Sequence, residues 1–167
     1  MSKQKLIHFA SGLSEMTSPE VVNYLVMTHH QFTRDVMAEI QDIMDTVSVS
    51  VDKGAQALKE LKEIFADFRL EMENHLDSEE QILFPALAEN SESANALPEA
   101  IKKMLKEHDH HDVELNQIRK LNETLLAAAG NNPAVYQLCY KIRLLDTDLH
   151  QHMQVETELL FPRMLDT

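Results

Sequence analysis

Three glycines, five prolines and a single cysteine leave this chain of 167 residues short of everything that turns or cross-links a backbone. Cys139 alone cannot close an internal disulfide, which excludes a disulfide-stapled scaffold. So few glycines and prolines also argue against a fold of many short strands joined by tight turns. Basic residues are scarce: 15 Lys and Arg stand against 28 Asp and Glu, and the formal net charge of −13 repels nucleic-acid phosphates and anionic lipid heads. No apolar run approaches the ~20 residues of a membrane span, and Leu6 to Ala10, "LIHFA", is too short for the core of a signal peptide. A cytoplasmic protein with neither nucleic acid nor membrane as partner is expected. A phosphate-cradling glycine run and a Ser/His/Asp nucleophile arrangement are also missing.

What remains is long stretches of Leu, Met, Ala, Glu, Lys and Gln, with 44% apolar residues overall, enough for one domain with a real core. The few breakers fall where helices should begin or end. Ser18-Pro19-Glu20 reads as a cap, a first-turn proline and an acid suited to the helix dipole, opening a helix to about Thr46. Asp52 can cap a second, running through His75 to about Ala88. A third begins near Leu97-Pro98-Glu99 and stops at Gly130, where a left-handed residue is wanted; Asn132-Pro133 starts a fourth, to about Leu160. Short connections around Val49 and Ser91-Glu92-Ser93 favour an all-α, up-down-up-down four-helix bundle over residues 18–167, with residues 1–17 as a short amino-terminal extension.

One phrase is written twice. "HLDSEEQILFP", His75 to Pro85, and "HMQVETELLFP", His152 to Pro162, share a His-x-x-x-Glu opening and a Leu-Phe-Pro finish. Residues four apart share a helix face, so His75 projects with Glu79 and His152 with Glu156. On regular α-helices Ile64, Phe68, Met72 and Ile82 share the direction of His75, and Leu138, Leu145, Leu149 and Leu159 that of His152, so both pairs point inward. A single such pair is most simply a helix-surface hydrogen bond. Two pairs in one core need compensation for buried carboxylates, and a pair of divalent metal ions supplies it, since imidazole and carboxylate together suit iron, zinc or manganese. The other two helices offer equivalents: His108 precedes His152 by 44 positions and His30 precedes His75 by 45.

At these residues the chain resembles the hemerythrin-like, His-His-Glu cation-binding family, and within it the di-iron proteins associated with repair of iron-sulfur centres. The resemblance covers roughly Val21 to Leu165, through the two repeated segments, Glu107-His108-Asp109, and "VVNYLVMTHH", whose Tyr24 lies six residues before His30. It implies a non-haem di-iron centre, oxo- and carboxylate-bridged, held by His30, His75, Glu79, His108, His152 and Glu156, with Glu79 and Glu156 as the bridges. Iron handling or a response to nitrosative and oxidative stress would follow, with dioxygen, nitric oxide or iron-sulfur proteins as partners. Oxygen-carrying hemerythrins are similar less closely. They place His-x-x-x-His on the third helix and His-x-x-x-x-Asp on the fourth, where this chain has Asp112 and Thr157. The repair group often carries a cysteine-bearing segment ahead of the bundle, and the 17 residues preceding it here hold no cysteine. An oxygen- or nitric-oxide-sensing module, a zinc or manganese hydrolase on the same ligands, and a metal-free helical interaction domain are the alternative readings.

Other residues have plainer expectations. Helical periodicity puts His29 rather than His30 at the middle of the stripe of Val22, Leu25, Val36, Ile40 and Val47, whereas the resemblance favours His30. His110, His111 and His150 are expected at the rim or in solvent, and Glu80 and Glu158 facing outward. Asp148 and Glu71, one turn before His152 and His75, could accept the second imidazole proton of each. The nine methionines fit core filling rather than copper ligation, and Cys139 reads as a packed or surface thiol.

Overall fold

The computed structural model describes residues 12–49, 52–88 and 97–165. Four long helical rods make up nearly all of it: α1 over residues 18–46, α2 over residues 52–88, α3 over Leu97–Ala127 and α4 over residues 133–165. Among the described residues there is no strand, and the architecture is the expected all-α bundle. α2 packs chiefly on α3 and α1 on α4, with α3 against α4 joining the two pairs.

The helix ends follow the local chemistry. The cap of α1 is Thr17, one residue earlier than expected: its backbone N–H donates to Glu20 Oε2 at 2.7 Å, and Pro19 occupies the first turn. Asn132 caps α4 by accepting from the N–H groups of Ala134 and Val135, with Pro133 at the first helical position. Gly130 has φ of 55°, the left-handed conformation its position called for. The connection at Ser91-Glu92-Ser93 and the side chain of Asp52 lie outside the described residues, as does the expected extension up to residue 11. The described part of that extension is tied to the far end of α4, where Arg163 donates to the carbonyls of Ser14 and Met16 and Leu13 is buried.

Three of the rods change winding midway. α1 is π-helical over Leu25–His30, α2 over Glu79–Leu83 and α4 over Glu156–Leu160; in each the closing N–H reaches the carbonyl five residues back, from Gln31 to Val26, Phe84 to Glu79 and Phe161 to Glu156. A π segment absorbs one extra residue and turns every later side chain. Ile82 is therefore 67% exposed while Leu83 is buried, and Leu159 is only half-buried while Leu160 is fully so. Both α-helical expectations for Ile82 and Leu159 slip by one position. Proline contributes to two of these segments: Pro85 and Pro162 donate no N–H, and their rings would press on the carbonyls of Gln81 and Glu158, inside the widened turns.

The core comes in two parts. A larger cluster, including Met37, Ile40, Phe65, Phe68, Leu115, Ile118, Leu138 and Leu145, fills one end of the bundle. A smaller one, with Val21, Leu25, Leu83, Phe84, Ile101, Met104, Leu160 and Phe161, fills the other. Along each rod the crossing from one cluster to the other falls at the same level: at His29 and His30, between Leu76 and Leu83, between Met104 and Leu115, and between Leu149 and Leu160. A polar layer therefore separates two apolar ones.

Candidate metal centre

Six residues fill that layer, and all are buried: His30, Glu79, His152 and Glu156 completely, His75 and His108 nearly so. They form two overlapping sets. His30, His152, Glu79 and Glu156 can each direct one donor atom to a common point, as can His75, His108, Glu79 and Glu156, every atom of a set lying within 4.8 Å of the others. The carboxylates are split between the sets. Glu79 Oε2 lies 3.5 Å from His30 Nε2 and 3.7 Å from His152 Nε2, while its Oε1 lies 3.3 Å from His75 Nε2 and 4.0 Å from His108 Nε2. Glu156 Oε1 is 3.0 Å from His152 Nε2 and its Oε2 is 3.2 Å from His108 Nε2. All six residues expected from the sequence thus converge, and the π turns start at both glutamates and end at His30.

The outer nitrogens of two imidazoles are held by acids on other helices. His30 Nδ1 lies 2.8 Å from Glu80 Oε1, which also accepts from Arg34 at 2.7 Å. His75 Nδ1 lies 2.9 Å from Glu107 Oε2, and Lys103 pairs with the other Glu107 oxygen. Burial pushes both carboxyls up, but the hydrogen bonds from Arg34 and His30, and from His75 and Lys103, win and keep them below the usual range. An ionised carboxylate can only accept, so each imidazole carries its proton on Nδ1 and aims the Nε2 lone pair inward.

Asp148 and Glu71 do not play the part expected of them. Asp148 bonds His29 Nδ1 at 3.0 Å, and Glu71 pairs with His110. Glu80 does not face away either, because the π turn beginning at Glu79 swings it toward α1. Glu158 is exposed and, among the described residues, accepts only from Gln154. His29 and His30 are both buried, since the wider turn brings the two neighbours onto the inner half of α1. Only His30 belongs to a donor set; His29 stacks against His152 with ring centroids 5.9 Å apart. His111 departs furthest from expectation. It is buried, edge-on to His75 at 4.9 Å and to Phe68 at 6.0 Å, whereas His110 and His150 are exposed as expected.

Each repeated Leu-Phe-Pro finish serves the site. Phe84 on α2 stacks on His30 of α1 with centroids 5.7 Å apart, and Phe161 on α4 stacks on His108 of α3 at 5.9 Å. The phrase thus supplies, on each occasion, a histidine, a shared carboxylate and a ring that shields the histidine of the preceding rod.

Taken as protein alone, the layer is electrostatically uncomfortable. Both oxygens of Glu79 and of Glu156, together with His75 Nε2 and His108 Nε2, are buried without a hydrogen-bond partner among the described residues. Burial, and then the charge of Glu156, push the Glu79 carboxyl far up. Burial lowers His75 to about 4, and burial with the neighbouring His152 lowers His30 to about 4. Burial and then His75 lower His111 to about 3. The lowered imidazoles of His30 and His75, beside two carboxylates of which one opposes the ionisation of the other, are what bound cations would compensate. The donor set of imidazole and carboxylate fits such ions on the protein's own geometry.

Two outlying features carry no such chemistry. Cys139 is buried against Asn122, and burial raises its thiol to about 11, far from a reactive thiolate. Among the described residues no helix is long and apolar enough to cross a membrane.

Comparison with known proteins agrees with this geometry. A model of the hemerythrin HHE cation binding domain matches residues 21–165. The iron-sulfur cluster repair protein DnrN of Neisseria gonorrhoeae is 26% identical over 147 residues, covering 87% of this chain and 90% of the relative. The iron-sulfur cluster repair protein YtfE of Edwardsiella ictaluri is 28% identical over 148 residues, covering 87% of this chain and 65% of the relative. A probable iron-sulfur cluster repair protein of Haemophilus influenzae is 26% identical over 151 residues, covering 88% and 65%. The chain therefore spans about two thirds of the last two relatives and nearly all of the first.

Proposed function

Because the chain belongs to the hemerythrin HHE cation-binding domain family, we propose that it holds a di-iron centre and acts in iron handling under nitrosative or oxidative stress, in the manner of iron-sulfur centre repair. The observation that carries this reading is the sharing of Glu79 and Glu156 by two four-residue sets, each glutamate turning an oxygen toward both. His30 and His152 would hold one ion and His75 and His108 the other, with the two carboxylates between them. The relatives' role in iron-sulfur cluster repair supports iron over zinc or manganese, which the same donors would also accept. Bound iron supplies one-electron chemistry and coordination positions for small ligands such as dioxygen or nitric oxide.

The chain's own residues set how that centre is kept. Glu80 and Glu107 hold the Nδ1 protons of His30 and His75, which fixes the ring orientations and makes each Nε2 a better donor. Arg34 and Lys103 keep those outer acids ionised. Phe84 and Phe161, with Leu83 and Leu160 buried beside them, exclude water from one side of the layer, and Phe68 and Met72 bound the other. In that dry setting the two carboxylates lose the solvent that would otherwise stabilise their charge, so cations are retained strongly.

The experiment is metal analysis of protein reconstituted anaerobically with iron(II), followed by transfer to an apo iron-sulfur protein. Two irons per chain and recovery of the recipient's cluster are expected. Colourless protein that retains only zinc would favour a hydrolase, and a centre that never releases iron to a recipient would remove the repair role.

A further inference from the structure

A second group of metal-ligating side chains lies outside the buried layer, on the seam between α2 and α3. Glu71 projects from α2 one turn before His75, and His110 and Glu114 project from α3 at i, i+4 spacing. His110 Nε2 is 3.1 Å from Glu71 Oε2 and 3.9 Å from Glu114 Oε2, and one donor atom from each residue lies within 4.8 Å of the other two. A tetrahedral first-row ion, with ligands at about 2.0–2.2 Å, sets neighbouring donors about 3.3–3.6 Å apart. Modest side-chain rotation would close these three around one.

An ordinary surface ion pair accounts poorly for the arrangement. Two acids converge on one imidazole, and among the described residues neither forms an ion pair with a lysine or arginine. Glu114 is the telling member. Its side chain is 12% exposed and its Oε2 is buried without a hydrogen-bond partner among the described residues. Burial, and then the negative charges of Glu71 and Asp67, push its carboxyl up against the opposing pull of His110. The acids Glu71 and Asp67 thus lie around an oxygen that no group among the described residues satisfies.

We propose that Glu71, His110 and Glu114 form an auxiliary divalent-cation site that takes a borderline first-row ion such as zinc(II) or iron(II) through one imidazole nitrogen and two carboxylates, water completing the shell. Glu71 and His110 also line a cleft of about 200 Å³ whose buried wall is formed by His75 and His111. An ion held there sits at the outer rim of the polar opening beside His75. The site stands on residues separate from the six of the buried layer and does not depend on what that layer holds.

The test is titration of zinc chloride into the full chain after reconstitution with iron, with iron content measured before and after so that exchange at the buried layer is read separately. Wild type should bind one zinc more per chain than His110→Ala, and Glu114→Gln should weaken that zinc by at least tenfold. His150→Ala is the control, because His150 also faces two acids, Asp112 at 3.6 Å and Asp146 at 3.5 Å, but belongs to no donor set. It should leave the extra zinc in place. Equal zinc binding by wild type and His110→Ala, or an equal loss in His150→Ala, would overturn the proposal, whether or not the buried layer loads iron.

Discussion

Replacing Glu79 by Gln separates a structural carboxyl from a metal-bridging one, because the two roles predict opposite sensitivities. Without metal, Glu79 is fully buried and its ionisation is opposed by burial and then by Glu156, which favours the protonated carboxyl. Gln is nearly isosteric with that protonated form, so metal-free Glu79→Gln should melt within about 1 kcal/mol of wild type. With metal, the carboxylate is shared by both ions, and its loss should exceed the 10–100-fold weakening typical of an outer-shell change. A hundredfold weaker affinity removes about 2.7 kcal/mol of ligand-linked stability, which for a domain of this size is about 5–10 °C in Tm. Scanning calorimetry of both proteins, metal-free and iron-loaded under anaerobic conditions, reads the two numbers. Equal losses in the two forms would refute the reasoning and make Glu79 a packing residue.

Three further outcomes follow from the same geometry. Glu158→Ala should leave iron content unchanged, since its exposed side chain accepts from Gln154 and, among the described residues, belongs to neither donor set, whereas Glu80→Ala should retain the ions about 10–100-fold less tightly by releasing His30 Nδ1; atomic absorption after graded chelation distinguishes them. Metal-free protein should lose stability as pH falls from about 6.5 toward 4. The lowered His30, His75 and His111 take up protons only on unfolding and outweigh the raised Glu79 and Glu114, which oppose them, so the slope is on the order of 1–2 kcal/mol per pH unit. A melting temperature flat or rising over that interval would contradict it. Gly54→Val should destabilise by about 1–3 kcal/mol in chemical unfolding with or without metal, because a Cβ there meets Val49 Cγ1 at 2.6 Å and Ala128 Cβ at 2.7 Å.

The helices were legible because their punctuation is local. Pro19, Gly130 and Asn132-Pro133 mark helix ends through backbone geometry that needs no tertiary partner, and the duplicated phrase marks the inward faces through simple four-residue spacing. The errors of register share one cause. Periodicity assumes 3.6 residues per turn, and the three π segments break it where the polar layer lies, moving Leu83 and Leu160 inward, turning Ile82 out and bringing His29 and His30 onto the same side. Nothing in the local sequence announces the π turn of α1, which lacks a proline. The partners of the outer imidazole nitrogens were missed for a different reason: Glu80 reaches His30 across α1 and α2, and Glu107 reaches His75 across α2 and α3. One-turn spacing pointed instead to Asp148 and Glu71, which serve His29 and His110. The burial of His111 depends likewise on how closely α3 lies against Phe68 and His75 of α2.

Anomalous diffraction at the iron edge from crystals of the reconstituted protein tests the central claim most directly. Two iron peaks are expected within the polar layer, one among His30 and His152 and the other among His75 and His108, with Glu79 and Glu156 lying between them. A single peak, or iron located away from these six residues, would contradict it.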